Sequence, residues 1–228
     1  MRPIIGVLLG YQYSKEDRAI LTMNESLRRT IQKAGGYVLP IAPVQDVNYI
    51  ETKGSEFLPL TDSEKEMIKY GLDLCDGIIF PGGVKFTPYD RYVLERVIER
   101  KIPVLGICLG MQMMSSFNKD ISLEKNVDCF HMQKDFDTLK HKVRLIEGSR
   151  LADIFGSLEI EVNSFHNYHC SSCGSYIVSG YSEDGLIEAI EYPDGVFNIG
   201  VQWHPEISYD FDINSRKLID YFIKEANR

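Results

Sequence analysis

The sequence predicts an α/β protein: a parallel sheet wound with helices on both faces. Three observations predict it. Short apolar runs at Ile4–Leu9, Tyr37–Ile41, Gly77–Phe80 and Val104–Ile107 have the length of buried strands. Segments between them carry apolar residues at helical spacing. The connectors are short and rich in Gly and Pro, as successive strand–helix units require.

Taken in order, Ile4–Leu9 is the first strand, and the polar stretch Gly10–Arg18 reads as a surface loop. Residues 22–34 place Met23, Leu27, Ile31 and Ala34 on one helical face, and Gly35-Gly36 ends that helix. Tyr37–Ile41 is the second strand; residues 44–63 show no clear pattern. Ser63, with Glu66 three residues on, has the form of a capping box for a helix to about Leu74. Gly77–Phe80 is a strand closed by Pro81-Gly82-Gly83, and Tyr89–Arg100 is a helix presenting Val93, Leu94, Val97 and Ile98. Val104–Ile107 then runs into a helix over Leu109–Phe117, followed by a polar loop over 118–127.

The second half is richer in strands: Lys142–Ile146, Glu159–Asn163, Tyr176–Tyr181, Leu186–Tyr192 and Phe197–Trp203. Glu159–Val162 and Ile187–Glu191 alternate apolar and polar residues, as half-exposed strands do. Asp184-Gly185 and Asp194-Gly195 are turn dipeptides between strands. A last helix, Ile213–Ala226, presents Leu218, Ile219, Phe222 and Ile223. No repeat, low-complexity tract or linker interrupts the 228 residues, so 1–228 is expected to be one domain.

Net charge is −8 with no basic run, which argues against nucleic acid or an anionic membrane as partner. No apolar stretch has the length of a membrane span. Five cysteines (75, 108, 129, 170 and 173) and an N-terminus without a signal-peptide core point to reduced thiols and a cytoplasmic location.

Two stretches carry chemistry. Gly106-Ile107-Cys108-Leu109-Gly110 has the Gly-x-nucleophile-x-Gly spacing of a strand-to-helix elbow, with cysteine at its centre. The glycines leave room for so sharp a reversal, and the helix start favours a thiolate. The alternative is a buried cysteine acting as a small hydrophobe. His204-Pro205-Glu206 follows a strand. In extended chain the two side chains point to one side, so that Glu206 can accept the Nδ1 proton and leave Nε2 facing a nucleophile. Cys170-Ser171-Ser172-Cys173, with His166, His169, His131 and Cys129 at hand, offers metal-ligand residue types. It lacks a second Cys-x-x-Cys and reads as an ordinary loop pair; no metal and no cofactor are expected.

Elbow and corner together, with Ala34-Gly35-Gly36, Asp76–Gly83, Asn163-Ser164-Phe165-His166 and Asp184–Glu191 in this order, resemble the class I glutamine amidotransferase superfamily. Within it, the closer likeness is to the gamma-glutamyl hydrolase branch, the Peptidase C26-like enzymes. The resemblance spans almost the whole chain. It implies a flavodoxin-like, mostly parallel central sheet flanked by helices, with an additional strand-rich C-terminal half. It also implies a Cys108 nucleophile, His204 as general base and then acid, and Glu206 as the carboxylate that orients it. Backbone N–H groups of Leu109 and of Gly82 or Gly83 would form an oxyanion hole, each donor worth about 3–4 kcal/mol in the transition state. A plain turn is the other reading of Gly82-Gly83. Gln112, one helical turn after Cys108, and Asn163, Ser164 and His166 would lie near the glutamyl part of a substrate. Each also reads as a residue satisfying a nearby loop or turn.

Three departures bear on substrate. Leu109 stands where gamma-glutamyl hydrolases usually have arginine, and leucine there is common in glutaminase domains that feed ammonia to a synthetase. The segments after Gly83 and after the elbow helix are also altered. The leading expectation is hydrolysis of a small gamma-glutamyl amide through a thioester, releasing glutamate. The alternatives are a glutaminase subunit serving a separate synthetase, and a degenerate binding or regulatory relative. The sequence leaves a homodimer open.

Overall fold

A computed structural model describes residues 1–46, 58–119, 123–127, 130–135 and 138–228. Most of the patternless stretch after residue 44, and Cys129, lie outside the described residues.

The chain opens with β1 (Ile4–Leu8) and a hairpin of β2 (Gly10–Tyr13) and β3 (Ala19–Thr22), followed by α1 (Glu25–Lys33) and β4 (Tyr37–Ile41). Then come α2 (Asp62–Asp73), β5 (Gly77–Phe80), α3 (Pro88–Glu99), β6 (Val104–Ile107) and α4 (Leu109–Ser115). The second half holds β7 (Leu123–Lys125), β8 (His141–Leu145), α5 (Arg150–Phe155), β9 (Glu159–Val162) and β10 (Tyr168–Cys170). It ends with β11 (Ile177–Ser182), β12 (Ile187–Glu191), β13 (Asn198–Val201), α6 (Pro205–Ser208) and α7 (Ile213–Ala226).

Nine strands form one sheet in the order β4-β1-β5-β6-β13-β12-β11-β8-β9. The first five are parallel and the rest pair antiparallel. The parallel half has the doubly wound order in which ligands bind outside the carboxyl ends of the strands. Both faces are covered. One carries Leu27 and Ile31 of α1, Leu151 and Phe155 of α5, and Leu218 and Phe222 of α7. The other carries Ile68 and Leu72 of α2, Val93 and Val97 of α3, and Met111 and Met114 of α4. This is the layering that the alternating apolar runs predict.

Several local expectations are corrected. Residues 10–22 are not a loop with a helix following directly: they form the β2–β3 hairpin, and α1 starts after its Asn24 cap. The capping box of α2 belongs to Thr61 and Glu64, two residues before the Ser63–Glu66 pair. Glu64 Oε2 accepts from the Thr61 N–H at 2.7 Å, and Thr61 Oγ1 accepts from the Glu64 N–H at 3.3 Å. The loop after α4 contains β7, which pairs with β10. β12 is not half-exposed; all five of its residues are buried, because this interior strand is covered on both faces. Its polar positions have internal tasks. The Glu191 carboxylate accepts from the Arg150 and Leu151 N–H groups, both at 3.0 Å, and so satisfies the start of α5. Gly185 and Gly195 do turn the chain between strands, with φ of 87° and 80°.

Candidate active site

The carboxyl ends of β5, β6 and β13, adjacent in the parallel half, bring three segments to one place. Cys108 follows β6 directly. Its N–H donates to the Val201 carbonyl at 2.8 Å, so the β6–β13 ladder fixes it up to the last residue. The chain then reverses into α4 with Cys108 at φ 52° and ψ −106°. A non-glycine residue held there stores roughly 1–3 kcal/mol of backbone strain. The flanking glycines make the reversal feasible. A Cβ on Gly110 would lie 2.0 Å from the Phe80 carbonyl oxygen, and one on Gly106 would lie 2.1 Å from Met114 Sδ. Cys108 is 8% exposed, with Sγ 3.9 Å from the Phe165 carbonyl oxygen.

His204 caps α6, and Glu206 sits in its first turn. The pair is therefore not extended chain as the sequence reading has it. Pro205 at the first helical position starts a turn, and the turn brings the Glu206 side chain back to the ring. His204 Nδ1 donates to Glu206 Oε1 at 2.8 Å, which leaves Nε2 without a hydrogen-bond partner among the described residues. The ring lies beside Cys108: a Cβ on Gly82 would fall 2.8 Å from His204 Cε1 and 3.5 Å from Cys108 Cβ. Burial pulls the His204 pKa down, but the Glu206 charge and the interactions with Cys108 and Glu206 outweigh it, and the pKa is raised well above the ordinary imidazole value. The shift favours the imidazolium form.

Gly82 is the narrow point of this arrangement, a bare α-carbon packed against both the ring and the cysteine. Gly83 faces Leu109, whose Cδ2 would lie 3.1 Å from an added Cβ. A cleft lined by Leu9, Tyr11, Phe86, Gly83 and Leu109 opens next to this loop.

The remaining polar residues singled out in the sequence direct their side chains to protein partners. Asn163 clamps the backbone of His204. Its Oδ1 accepts from the His204 N–H at 2.8 Å, and its Nδ2 donates to the His204 carbonyl at 2.8 Å and to Ser208 Oγ at 3.1 Å. Gln112 is buried, its Nε2 donating to the Tyr168 carbonyl at 2.8 Å and to Gln202 Oε1 at 3.0 Å. Ser164 Oγ lies 3.1 Å from His131 Nδ1, and His166 Nδ1 lies 3.1 Å from the Tyr168 carbonyl. Thr30 of α1, which the sequence reading passes over, donates to the Glu206 carbonyl at 3.1 Å and ties the corner to the helix layer. Only its place on the buried face of α1 hinted at such a task. Cys170 and Cys173 do not converge with the nearby histidines. Cys170 Sγ accepts from Ser115 Oγ at 3.1 Å, burial pushes its thiol up to about 11, and the Cys173 thiol donates to the Tyr176 carbonyl at 2.9 Å. His169 Nδ1 pairs with Asn126 Oδ1 at 2.9 Å.

The clamp makes a stability prediction. Asn163→Ala leaves the buried His204 N–H and carbonyl without these partners. Leaving the N–H unpaired costs about 1–3 kcal/mol, while the carbonyl keeps the Ile207 N–H at 3.1 Å. Chemical denaturation is expected to show a fall in unfolding free energy of about 2 kcal/mol or more.

This sheet, with the cysteine elbow after β6 and the histidine corner after β13, is the fold of the class I glutamine amidotransferases. A Thermoplasma acidophilum protein described as a GMP synthase subunit superposes with a TM-score of 0.64 at 17% identity, over 100% of this chain and 95% of its own. A Thermotoga maritima glutamine amidotransferase superposes at 0.60 and 13%, over 100% and 97%. By sequence, a Schizosaccharomyces pombe protein assigned the name glutamine amidotransferase PB2B2.05 is 36% identical, over 98% of this chain and 87% of its own. Staphylococcus aureus CTP synthase is 30% identical over 87% of this chain, which spans 40% of that protein's length. The profile of the Peptidase C26 family matches residues 89–206, more than half of the chain. The chain belongs to the Peptidase C26 family, within the class I glutamine amidotransferase superfamily.

Proposed function

We propose that this chain hydrolyses the gamma-glutamyl amide bond of a small gamma-glutamyl compound through a Cys108 thioester. The observation that carries the reading is the strained Cys108 beside a His204 ring that Glu206 holds in one orientation, with Gly82 packed against both.

The Cys108 thiolate attacks the side-chain amide carbonyl, and the oxygen takes up negative charge. Backbone N–H groups of Leu109, in the first turn of α4, and of Gly82 or Gly83 stabilise it. As the C–N bond breaks, the His204 imidazolium protonates the nitrogen and the amine departs, leaving a gamma-glutamyl thioester. Neutral His204 then takes a proton from water, which attacks the thioester. The C–S bond breaks, glutamate leaves, and the Cys108 thiolate and the His204 imidazolium, which keeps the proton taken from water, are restored. Glu206 remains ionised, fixing the tautomer and ring orientation. Asn163 holds the backbone from which the ring projects.

A second reading has specific support. Leu109 and the similarity to a CTP synthase and to a GMP synthase subunit favour a glutaminase subunit that passes ammonia to a separate synthetase. A panel of gamma-glutamyl amides beside glutamine, assayed for glutamate release, separates the two. Turnover of an amide other than glutamine, unaided by a partner, supports the hydrolase. Weak turnover confined to glutamine, stimulated by a co-purified synthetase, supports the subunit.

The packing of Gly82 makes a further prediction. Gly82→Ala puts a methyl group at the ring position and displaces His204. A shift of about 1 Å at such a site lowers turnover on the order of a hundredfold. Steady-state kinetics should show that fall in kcat, with little change in Tm.

A further inference from the structure

Behind the loop that carries Phe165 lies a buried cluster that the mechanism does not use. His131, His141, His166 and Glu188 are at most 4% exposed. They come from four separate parts of the chain: the segment after β7, the start of β8, the loop before β10, and β12. Three ring nitrogens surround one carboxylate oxygen. Glu188 Oε1 lies 3.4 Å from His166 Nε2, 3.6 Å from His131 Nδ1 and 3.9 Å from His141 Nε2. Both Glu188 oxygens, His141 Nε2 and His166 Nε2 lack a hydrogen-bond partner among the described residues. A buried carboxylate left so is costly unless a cation meets it.

The outward nitrogens show which atoms face inward as lone pairs. His141 Nδ1 lies 3.1 Å from the Lys142 carbonyl, and His166 Nδ1 lies 3.1 Å from the Tyr168 carbonyl. A carbonyl only accepts, so the His141 Nδ1 carries the proton and its Nε2 is bare; at His166 the carbonyl at 3.1 Å is the shorter contact, ahead of the Asn126 Nδ2 donor at 3.4 Å, and favours the same tautomer. His131 Nε2 lies 3.0 Å from Asp184 Oδ2, so its Nδ1 is the bare nitrogen, facing Glu188 and, at 3.1 Å, Ser164 Oγ. One nitrogen donating to a carbonyl or carboxylate while the other faces inward is how histidine ligands are held around a metal. Three bare nitrogens and a carboxylate suit Zn²⁺, whose tetrahedral bonds of about 2.0–2.1 Å put ligand atoms about 3.4 Å apart. The contacts to Glu188, at 3.4, 3.6 and 3.9 Å, are long for hydrogen bonds; His131, His141 and Glu188 offer ligand atoms within 4.8 Å of one another, which an ion would draw closer, and His166 Nε2 adds a nitrogen beside Glu188.

We propose that His131, His141, His166 and Glu188 form a structural Zn²⁺ site. The ion joins the sheet to the loop around Phe165, the residue whose carbonyl faces Cys108. The ligands contain no sulfur, so the site is separate from Cys170 and Cys173.

The test uses the Cys108→Ala protein, which removes the reactive thiol as a competing ligand. After dialysis against ZnCl₂ and then metal-free buffer, elemental analysis should find one zinc per chain, and thermal melting should shift upward. With CoCl₂ instead, tetrahedral d–d bands should appear without the near-ultraviolet charge-transfer band of cobalt–thiolate bonds. Glu188→Gln and, separately, His141→Asn should weaken Zn²⁺ binding at least tenfold, and Cys170→Ser should leave it unchanged. The cobalt spectrum needs no ligand substitution, so misfolding of those variants does not blunt the test. Absence of retained metal, a thiolate band, or undiminished binding in a folded Glu188→Gln protein would each overturn the proposal.

Discussion

Cys108→Ala is expected to abolish glutamate release, lowering kcat by a factor of about 10⁴ or more, as removal of a nucleophile that works as a unit with its base does. Folding should survive. The side chain is small, and its substitution removes few buried atoms. A non-glycine residue already occupies the strained position, so alanine inherits that backbone strain rather than creating it. The expected pattern is therefore loss of turnover with Tm within a few degrees of the parent. Cys75, Cys170 and Cys173 lie elsewhere and should not substitute for it; Cys75 and Cys170 have thiols that burial pushes up to about 11. A cysteine-directed probe at neutral pH should accordingly label Cys108 in preference to those two.

Glu206→Gln is expected to act on both rate and pH dependence. In the parent protein, burial lowers the His204 pKa, and the Glu206 charge with the neighbouring interactions more than reverses this. In the proposed mechanism the His204 imidazolium protonates the leaving nitrogen, so kcat/KM should fall on the alkaline side as His204 loses its proton. Removing the Glu206 charge leaves burial less opposed, so the alkaline limb should move to lower pH. The rate at neutral pH should fall by roughly 10²–10⁴, the upper end matching the loss seen when a triad carboxylate becomes an amide. Stability follows the same sign. A raised histidine pKa stabilises the fold fully below the ordinary imidazole value of 6.5, and that contribution fades as pH rises through the raised value. The parent should lose part of its stability on the alkaline side, and the Glu206→Gln protein should lose less there. A pH–rate profile and pH-dependent melting of the two proteins check these outcomes.

Much of this architecture is legible in the residues because its central strands are buried on both faces. Gly77–Phe80 and Val104–Ile107 are continuous apolar runs and wholly buried strands, whereas Tyr37–Ile41, also a strand, lies partly exposed at the sheet edge. The period of Ile213–Ala226 marks a helix with the same ends. Where solvent patterning is weak, tertiary contacts decide. Ile187–Glu191 alternates like a half-exposed strand, yet the helix layer and the histidine segment cover both its faces, and its glutamates find buried tasks. Among the described residues the hairpin at 10–22 pairs its two strands with each other alone, and it carries no apolar stripe to announce it. The His204–Glu206 spacing indicated a partnership, whereas the short helix that makes it depends on Pro205 and on anchors from Thr30 and Asn163, distant in sequence. Glu188 and the three histidines around it are spread over positions 131–188 with no motif spacing, so only the folded chain brings them together.

The central claim is that Cys108 carries the glutamyl group during turnover. Rapid acid quenching during steady turnover of a gamma-glutamyl amide, followed by peptide mass spectrometry, reads this directly. The predicted result is one added glutamyl group on the peptide containing Cys108, sensitive to hydroxylamine and absent from Cys108→Ala. Full glutamate release with no such adduct, or with the adduct on another cysteine, would contradict the account.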